Sequence, residues 1–173
     1  MAKINILDDF TVNQIAAGEV IERPSSIVKE LVENSIDADS SAITIEIKDG
    51  GTTYIRVTDN GEGMDTTDAR LCFQRHATSK IKSNTDLYSI NSLGFRGEAL
   101  ASIAAVSQVE MFTSPRGEQG GIHIINHGGD IISEKEIGCP EGTTIVVRNL
   151  FYNAPARLKF LKSTRAETAS VSG

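Results

Sequence analysis

The chain has little of what would mark a covalent staple, a membrane anchor or a nucleic-acid clamp. Of its 173 residues only two are cysteine, Cys72 and Cys139. Neither stands in a CxxC or Cys/His spacing that would hold a metal, so reduced thiols in a cytosolic protein are expected, and neither is a candidate for catalysis. No stretch approaches the roughly 20 apolar residues of a membrane span, and residues 1–20 carry charges where a secretory leader would be apolar. A soluble, unsecreted, cytoplasmic protein without membrane contact is expected. An excess of basic residues is also missing. The net charge of −6 excludes a surface that is one non-specific DNA clamp, and leaves Arg157, Lys159, Lys162 and Arg165 as the best local basic cluster. Neither a P-loop nor a GxGxxG dinucleotide fingerprint occurs, and there are no internal repeats or low-complexity tracts.

What the chain does have suits one globular domain over residues 1–173. With 39% hydrophobic and 23% charged residues, it is long enough to bury roughly two thirds of its unfolded surface. Asp9 to Val20 reads as a short helix capped by Thr11. Pro24 and Ser25 open a second helix that should stop near Ala38. Ile43, Ile45 and Ile47 alternate with polar residues, Asp49 to Gly51 supply a turn, and Tyr54 to Thr58 return as a second strand. A helical pattern runs from Asp65 to about His76, and a helix of small residues from near Glu98 to Val106. Short β-rich runs follow at Val109–Thr113, Ile122–Asn126, Asp130–Ser133 and Thr144–Arg148, and Pro155 starts a last helix. The Ser, Thr and Ala residues of 163–173 are expected to form a frayed end. The pattern predicts an α/β fold, a two-layer sandwich with a mixed, largely antiparallel sheet.

Four segments carry side chains with chemistry. In ELVENSIDA, residues 30–38, Glu30, Asn34 and Asp37 fall within about 60° of one another on a helix wheel, while Ile27, Val28, Leu31, Val32 and Ile36 cover the other side. Such a face can converge on a ligand or be a solvated stripe, and spacing alone does not separate the two. DNGEGM, residues 59–64, puts Asp59 at a strand end, where its carboxylate can accept a hydrogen bond from an exocyclic amine such as that of adenine; a plain Asp/Gly turn is the other reading. GFRGEAL sets Gly94 and Gly97 before a helix, where free amides and the positive dipole end favour phosphate. RHATSK, residues 75–80, offers Thr78, Ser79 and Lys80 from a polar connection that could close over phosphates or lie in solvent. Thr144, in GTT, is a polar group on an otherwise buried strand.

Taken in order, ELVENSIDA, DNGEGM, GFRGEAL and GTT resemble the four motifs of the Bergerat-type ATP-binding fold shared by gyrase, heat-shock chaperones, histidine kinases and MutL. Within that superfamily QIAAGEVIERP, HATSKI, LGFRGEALASI and LFYNAPARLKFL are similar to the bacterial MutL family of DNA mismatch repair, over essentially the whole chain. The resemblance implies Mg2+-dependent ATP hydrolysis, with Glu30 as general base and Asn34 as a ligand of Mg2+. It implies that Asp59 receives the adenine amine with Gly63 and Thr144 beside it, that Asp37 and Ala38 belong to the nucleotide site, that Ala77, Thr78 and Ser79 lie in an ATP lid, and that Leu93, Gly94, Phe95, Arg96 and Gly97 form the phosphate loop, the lid and loop together spanning 75–97. Residues 1–23 would be the first helix and an arm that reaches a partner, giving a homodimer with ATP that coordinates a mismatch-recognition protein and a downstream nuclease or helicase, near the nucleoid, with DNA bound weakly or through other regions. The family's following domain, which supplies a lysine to the γ-phosphate, and its distant dimerisation region are expected outside these residues. The 173 residues alone should therefore hydrolyse ATP weakly or not at all. Two other readings remain: a kinase of the same fold, which needs a phosphoacceptor histidine on a helical hairpin, and a non-enzymatic nucleotide-binding or scaffold module.

Overall fold

A computed structural model of the chain describes residues 23–74, 99–118 and 120–159, together with Leu161 and Val171. Pro24 begins helix α1, Pro24–Asp37. The ring has no N–H to lose at the first helical position, and it holds Arg23 before it extended, at φ −158 and ψ 167. The chain then runs as strand β1 (Ile43–Lys48), a tight turn at Asp49–Gly51 and strand β2 (Tyr54–Asp59). The short helix α2 (Thr66–Leu71) follows, started by Asp65, whose side chain accepts the Asp68 amide at 2.8 Å. It ends at Leu71, before the expected boundary near His76, and Arg75 and His76 lie outside the described residues. The helix of small residues is α3 (Ala99–Ala105).

Strands β3 (Gln108–Ser114), β4 (Gly121–His127), β5 (Asp130–Ile137) and β6 (Gly142–Arg148) precede a last turn of helix, α4 (Pro155–Leu158). β5 runs four residues beyond its expected end, because its outer positions are polar and the pairing with β4 extends it without help from the core. The six strands form one sheet in the order β1-β2-β6-β3-β4-β5. Every described pair is antiparallel, in line with the expected α/β fold with a largely antiparallel sheet. The expected helix from Asp9 to Val20 and all but Arg23 of the arm expected in residues 1–23 lie outside the described residues.

The core lies on one face of the sheet, where Ile27 and Leu31 of α1 and Ile103 of α3 meet Ile55, Val57, Met111, Ile124 and Val147. Two expected core positions do not join it. Ile36 is 60% exposed, because it sits about 140° round the helix from Leu31, whereas Ser35 is about 40° away and is the residue that is buried. Ile45 is 43% exposed at the centre of edge strand β1, where only Ile43 and Ile47 pack against the cluster. The alternate positions of the central strands carry a polar ladder. Glu110 accepts from Arg148 at 2.8 Å and pairs with His123 at 2.7 Å, and His123 stacks on Phe112 at 4.4 Å between ring centroids. Burial alone would raise the Glu110 pKa, but the hydrogen bonds from Arg148 and His123 outweigh it and hold the carboxyl below its usual value.

Candidate functional site

Asp59 ends β2 on the core face, two residues beyond Val57 and four beyond Ile55, both of which are buried. Its carboxylate is held by three donors from three elements. Ser35 of α1 donates its hydroxyl to Oδ2 at 2.6 Å. The Gly61 amide in the following loop and the Thr143 amide of β6 both donate to Oδ1, at 2.9 and 3.1 Å. A carboxylate has roughly four acceptor positions, so these donors fix its orientation and, among the described residues, one position on Oδ2 is left for a further donor.

The loop after Asp59 is packed as tightly as its glycines allow. Gly63 has φ +66, and a Cβ there would overlap the Ser114 carbonyl; Gly142 has φ +107, and a Cβ there would overlap the Asp59 carbonyl. Only glycine brings these backbones together without strain. The Glu62 amide donates to the Ala38 carbonyl at 2.8 Å, and the Arg116 amide to the Glu62 carbonyl at 2.8 Å. The loop is thereby tied to the C-terminal end of α1 on one side and to the β3–β4 connection on the other, which brings Ala38 and Gly63 to the same end of the fold as Asp59.

Glu30, Asn34 and Asp37 run along one side of α1 from inside to outside: Glu30 is buried at 8% exposure, Asn34 is half-buried and Asp37 exposed. Carboxylates are almost never fully buried unless paired, and Glu30 does have an interaction partner. Asn34 carries a neutral carbonyl oxygen, a hard ligand of the kind Mg2+ accepts, and no group of three or more His, Cys, Asp or Glu side chains gathers among the described residues. A single carbonyl oxygen of this kind fits an ion that takes few ligands from protein and most from phosphate and water.

The structure separates Thr144 from Asp59. Thr144 pairs with Thr58, and its hydroxyl donates to the Thr58 hydroxyl at 3.3 Å, on the face of the sheet away from the core. Thr143 pairs with Asp59 and shares its face. The reason is the strand period of two: adjacent residues point to opposite faces, and GTT contains two threonines that composition cannot rank. Ser35 and Thr143 are therefore the two residues at the Asp59 carboxylate that sequence reasoning did not single out. The signal for Ser35 was its place four residues after Leu31, on the buried stripe.

Ala77, Thr78, Ser79, Leu93, Gly94, Phe95, Arg96 and Gly97 lie outside the described residues, as do Lys162 and Arg165 of the basic cluster. Of that cluster Arg157 stacks over the Phe151 ring at 5.9 Å, and Lys159 is exposed. A groove of about 540 Å3 beside Met64, lined among others by Asp65, Glu118, Ile122 and Glu136, contains none of the predicted site residues. Both cysteines are free, and burial, with Asp68 nearby, pushes the Cys72 thiol up to about 12, which leaves it unionised and inert. No described helix is long and apolar enough to cross a membrane.

Comparison with known proteins gives the family. Residues 22–140 match the family described as histidine kinase-, DNA gyrase B-, and HSP90-like ATPase. The chain is 57% identical over 171 residues to the DNA mismatch repair protein MutL of Symbiobacterium thermophilum, covering 99% of this chain and 27% of that protein. It is 58% identical over 175 residues to MutL of Methanoculleus marisnigri, covering 99% of this chain and 30% of that protein. The chain thus spans less than a third of the length of these relatives. Among solved structures, it is similar to the Aquifex aeolicus MutL ATPase domain complexed with ADP, with a TM-score of 0.67 and 35% identity over 88% of this chain and 53% of that one. It is also similar to the N-terminal domain of a DNA repair protein, with a TM-score of 0.78 and 34% identity over 96% of this chain and 49% of that one.

Proposed function

The chain belongs to the histidine kinase-, DNA gyrase B- and HSP90-like ATPases, with MutL proteins of DNA mismatch repair as its homologues, and on that premise we propose that it binds ATP with the adenine at Asp59 and hydrolyses it from the face of α1. The observation that carries this reading is the Asp59 carboxylate, fixed by Ser35, Gly61 and Thr143 with one acceptor position left. An adenine amine can fill that position, whereas a six-oxo base would set oxygen against oxygen. Gly63 brings the loop close to the base. Thr143 takes the place beside it that was expected of Thr144, and Asp37 and Ala38 border the site at the end of α1.

In this reading Glu30 accepts the proton of the water that attacks the γ-phosphorus, while the bond from that phosphorus to the β–γ bridging oxygen breaks and ADP leaves with the electron pair. A positioned base contributes about 10²–10⁴ in rate. Asn34 would hold Mg2+, which when bound neutralises phosphate charge. Ala77, Thr78, Ser79 and residues 93–97 are assigned to lid and phosphate loop from the family resemblance. Nucleotide-driven dimerisation, contacts with a mismatch-recognition protein and a nuclease or helicase, and any role of DNA belong to the same proposal.

The kinase alternative is not favoured by the described histidines, since His123 and His127 both lie on strand β4 and neither stands on a helical hairpin. A scaffold module without nucleotide would have no need of the open acceptor on Asp59. The test is a calorimetric titration of ATP, ADP and GTP with and without Mg2+, followed by a phosphate-release assay. Adenine nucleotides should bind and GTP should not; equal affinity for ATP and GTP, or binding of neither, would remove the assignment.

A further inference from the structure

The groove of about 540 Å3 beside Met64 opens where β3 and β5 finish, between the start of α2 and the β3–β4 connection. Its volume lies within the roughly 300–1,000 Å3 that ligand pockets occupy. Met64, Ile122 and Ile137 give it an apolar floor; Met64 packs against the core and Ile122 belongs to it. Its charged side chains are Asp65, Glu118 and Glu136, and no lysine, arginine or histidine lines it among the described residues. All three acidic residues are exposed. Asp65 gives one oxygen to the Asp68 amide, while the carboxylates of Glu118 and Glu136 make no hydrogen bond or ion pair among the described residues. The cations on the flanking elements are committed elsewhere. Arg70 of α2 pairs with Glu134 at 2.8 Å. Arg116 of the β3–β4 connection donates to the Asp39 and Asn60 carbonyls at 3.1 and 3.3 Å. Lys135 is opposite His123 in the register and Glu136 opposite Ile122, so their adjacent positions put the lysine on the other face of the sheet. Among the described residues, the three carboxylates therefore have no counter-charge beside their apolar floor.

We propose that this groove docks a segment of a partner protein in which basic side chains alternate with apolar ones. None of the residues that line it is among those assigned to the nucleotide. Nucleotides and nucleic acid carry the same sign of charge as the groove and are repelled by it. A metal ion needs its ligands gathered at one point, and no group of three or more His, Cys, Asp or Glu side chains able to hold one exists among the described residues. The carboxylates come instead from three places, the cap of α2, the β3–β4 connection and the end of β5. Charges spread along an apolar floor match a ligand whose own charges are spread. Arginine and lysine meet both demands, because their aliphatic stems lie along apolar surface while their heads reach carboxylates. The rim charges then select the partner and speed its arrival, and the apolar contacts hold it.

The test is fluorescence anisotropy of short labelled peptides with the chain, in the absence of nucleotide: one alternating arginine and leucine, one alternating arginine and serine, and one alternating glutamate and leucine. The first should bind, the second at least about fivefold more weakly because it lacks the apolar contacts, and the third not at all. Glu118→Gln and Glu136→Gln keep the shape of the rim and remove one charge each. Each should weaken the arginine–leucine peptide about two- to fivefold, the scale of one exposed ion pair, and the double variant by about the product. Asp130→Asn, at the far end of β5, removes the same charge away from the groove and should leave the affinity unchanged. The proposal is overturned if the arginine–leucine peptide does not bind, if either control peptide binds as tightly, or if the double variant keeps the wild-type dissociation constant. An equal loss in Asp130→Asn overturns it too, since the peptide would then be following the net charge of the chain rather than the groove.

Discussion

At the scale of single residues, the proposed site divides into side chains assigned to the base and side chains assigned to the phosphate end, and the two should respond differently to substitution. Asp59→Asn replaces a charged acceptor by one that also presents an amide, and it disturbs the bonds from Ser35, Gly61 and Thr143. A charged hydrogen bond is worth about 1.5–3 kcal/mol, so ATP and ADP should both bind more weakly, by about 10- to 150-fold, in calorimetry. An unchanged dissociation constant for either nucleotide would take Asp59 out of the base site. Glu30→Ala should behave otherwise. A base that acts on water need not hold the nucleotide, so binding of Mg2+·ATP is expected to persist while phosphate release falls by at least about 10²-fold. Glu33, three residues on, is the rival, and full turnover in Glu30→Ala with loss in Glu33→Ala would reverse the assignment.

At the scale of elements, α1 does two jobs with one turn pattern. Its buried stripe of Ile27, Leu31 and Ser35 anchors it to the sheet, and the flank of that stripe carries Glu30 and Asn34. The stripe is narrower than the run of apolar residues suggests, and stability measurements should show it. Leu31→Ala, at a position 2% exposed, is expected to cost about 2–5 kcal/mol in denaturant unfolding. Ile36→Ala, at 60% exposure, should stay within about 0.5 kcal/mol. Comparable losses at the two positions would mean that the helix is rotated from the orientation described. The same rotation places Ser35 against Asp59, so this experiment also tests the frame of the base site without any nucleotide.

At the scale of the whole molecule, the chain spans 27% and 30% of two MutL relatives, and the proposed hydrolysis depends on more than these residues. The resemblance assigns a γ-phosphate lysine to the family's following domain and a crossing arm to residues 1–23. Closing a lid draws on phosphate contacts and on neighbouring structure together. These 173 residues should therefore bind ATP analogues weakly, turn over slowly and stay monomeric in sedimentation. A chain extended to the length of its relatives should hydrolyse faster per site and dimerise with nucleotide. Equal turnover for the two lengths, or a stable nucleotide-induced dimer of the shorter one, would show that the added region is dispensable.

The sequence by itself determined the elements and the residue types of the site. Pro24 dates the start of α1 and the alternation of β2 marks Ile55 and Val57 as core, because periodicity and turn residues act within a few positions of the chain, while the nucleotide roles expected of Glu30, Asn34 and Asp59 come from the resemblance of the ordered motifs to a family. What only the tertiary structure decided is which neighbours meet across it. Ser35 reaches Asp59 across 24 residues and Thr113 reaches Met64 across 49, separations at which local pattern carries no information. Thr143 is chosen over Thr144, and Ser35 is buried while Ile36 is exposed, because strand register and helix rotation are settled by packing the whole sheet against α1 and α3. The largely antiparallel character of the sheet was legible in its short, turn-linked strands, but the order β1-β2-β6-β3-β4-β5 was not, because strand order is a property of pairing between distant segments and no single strand encodes it.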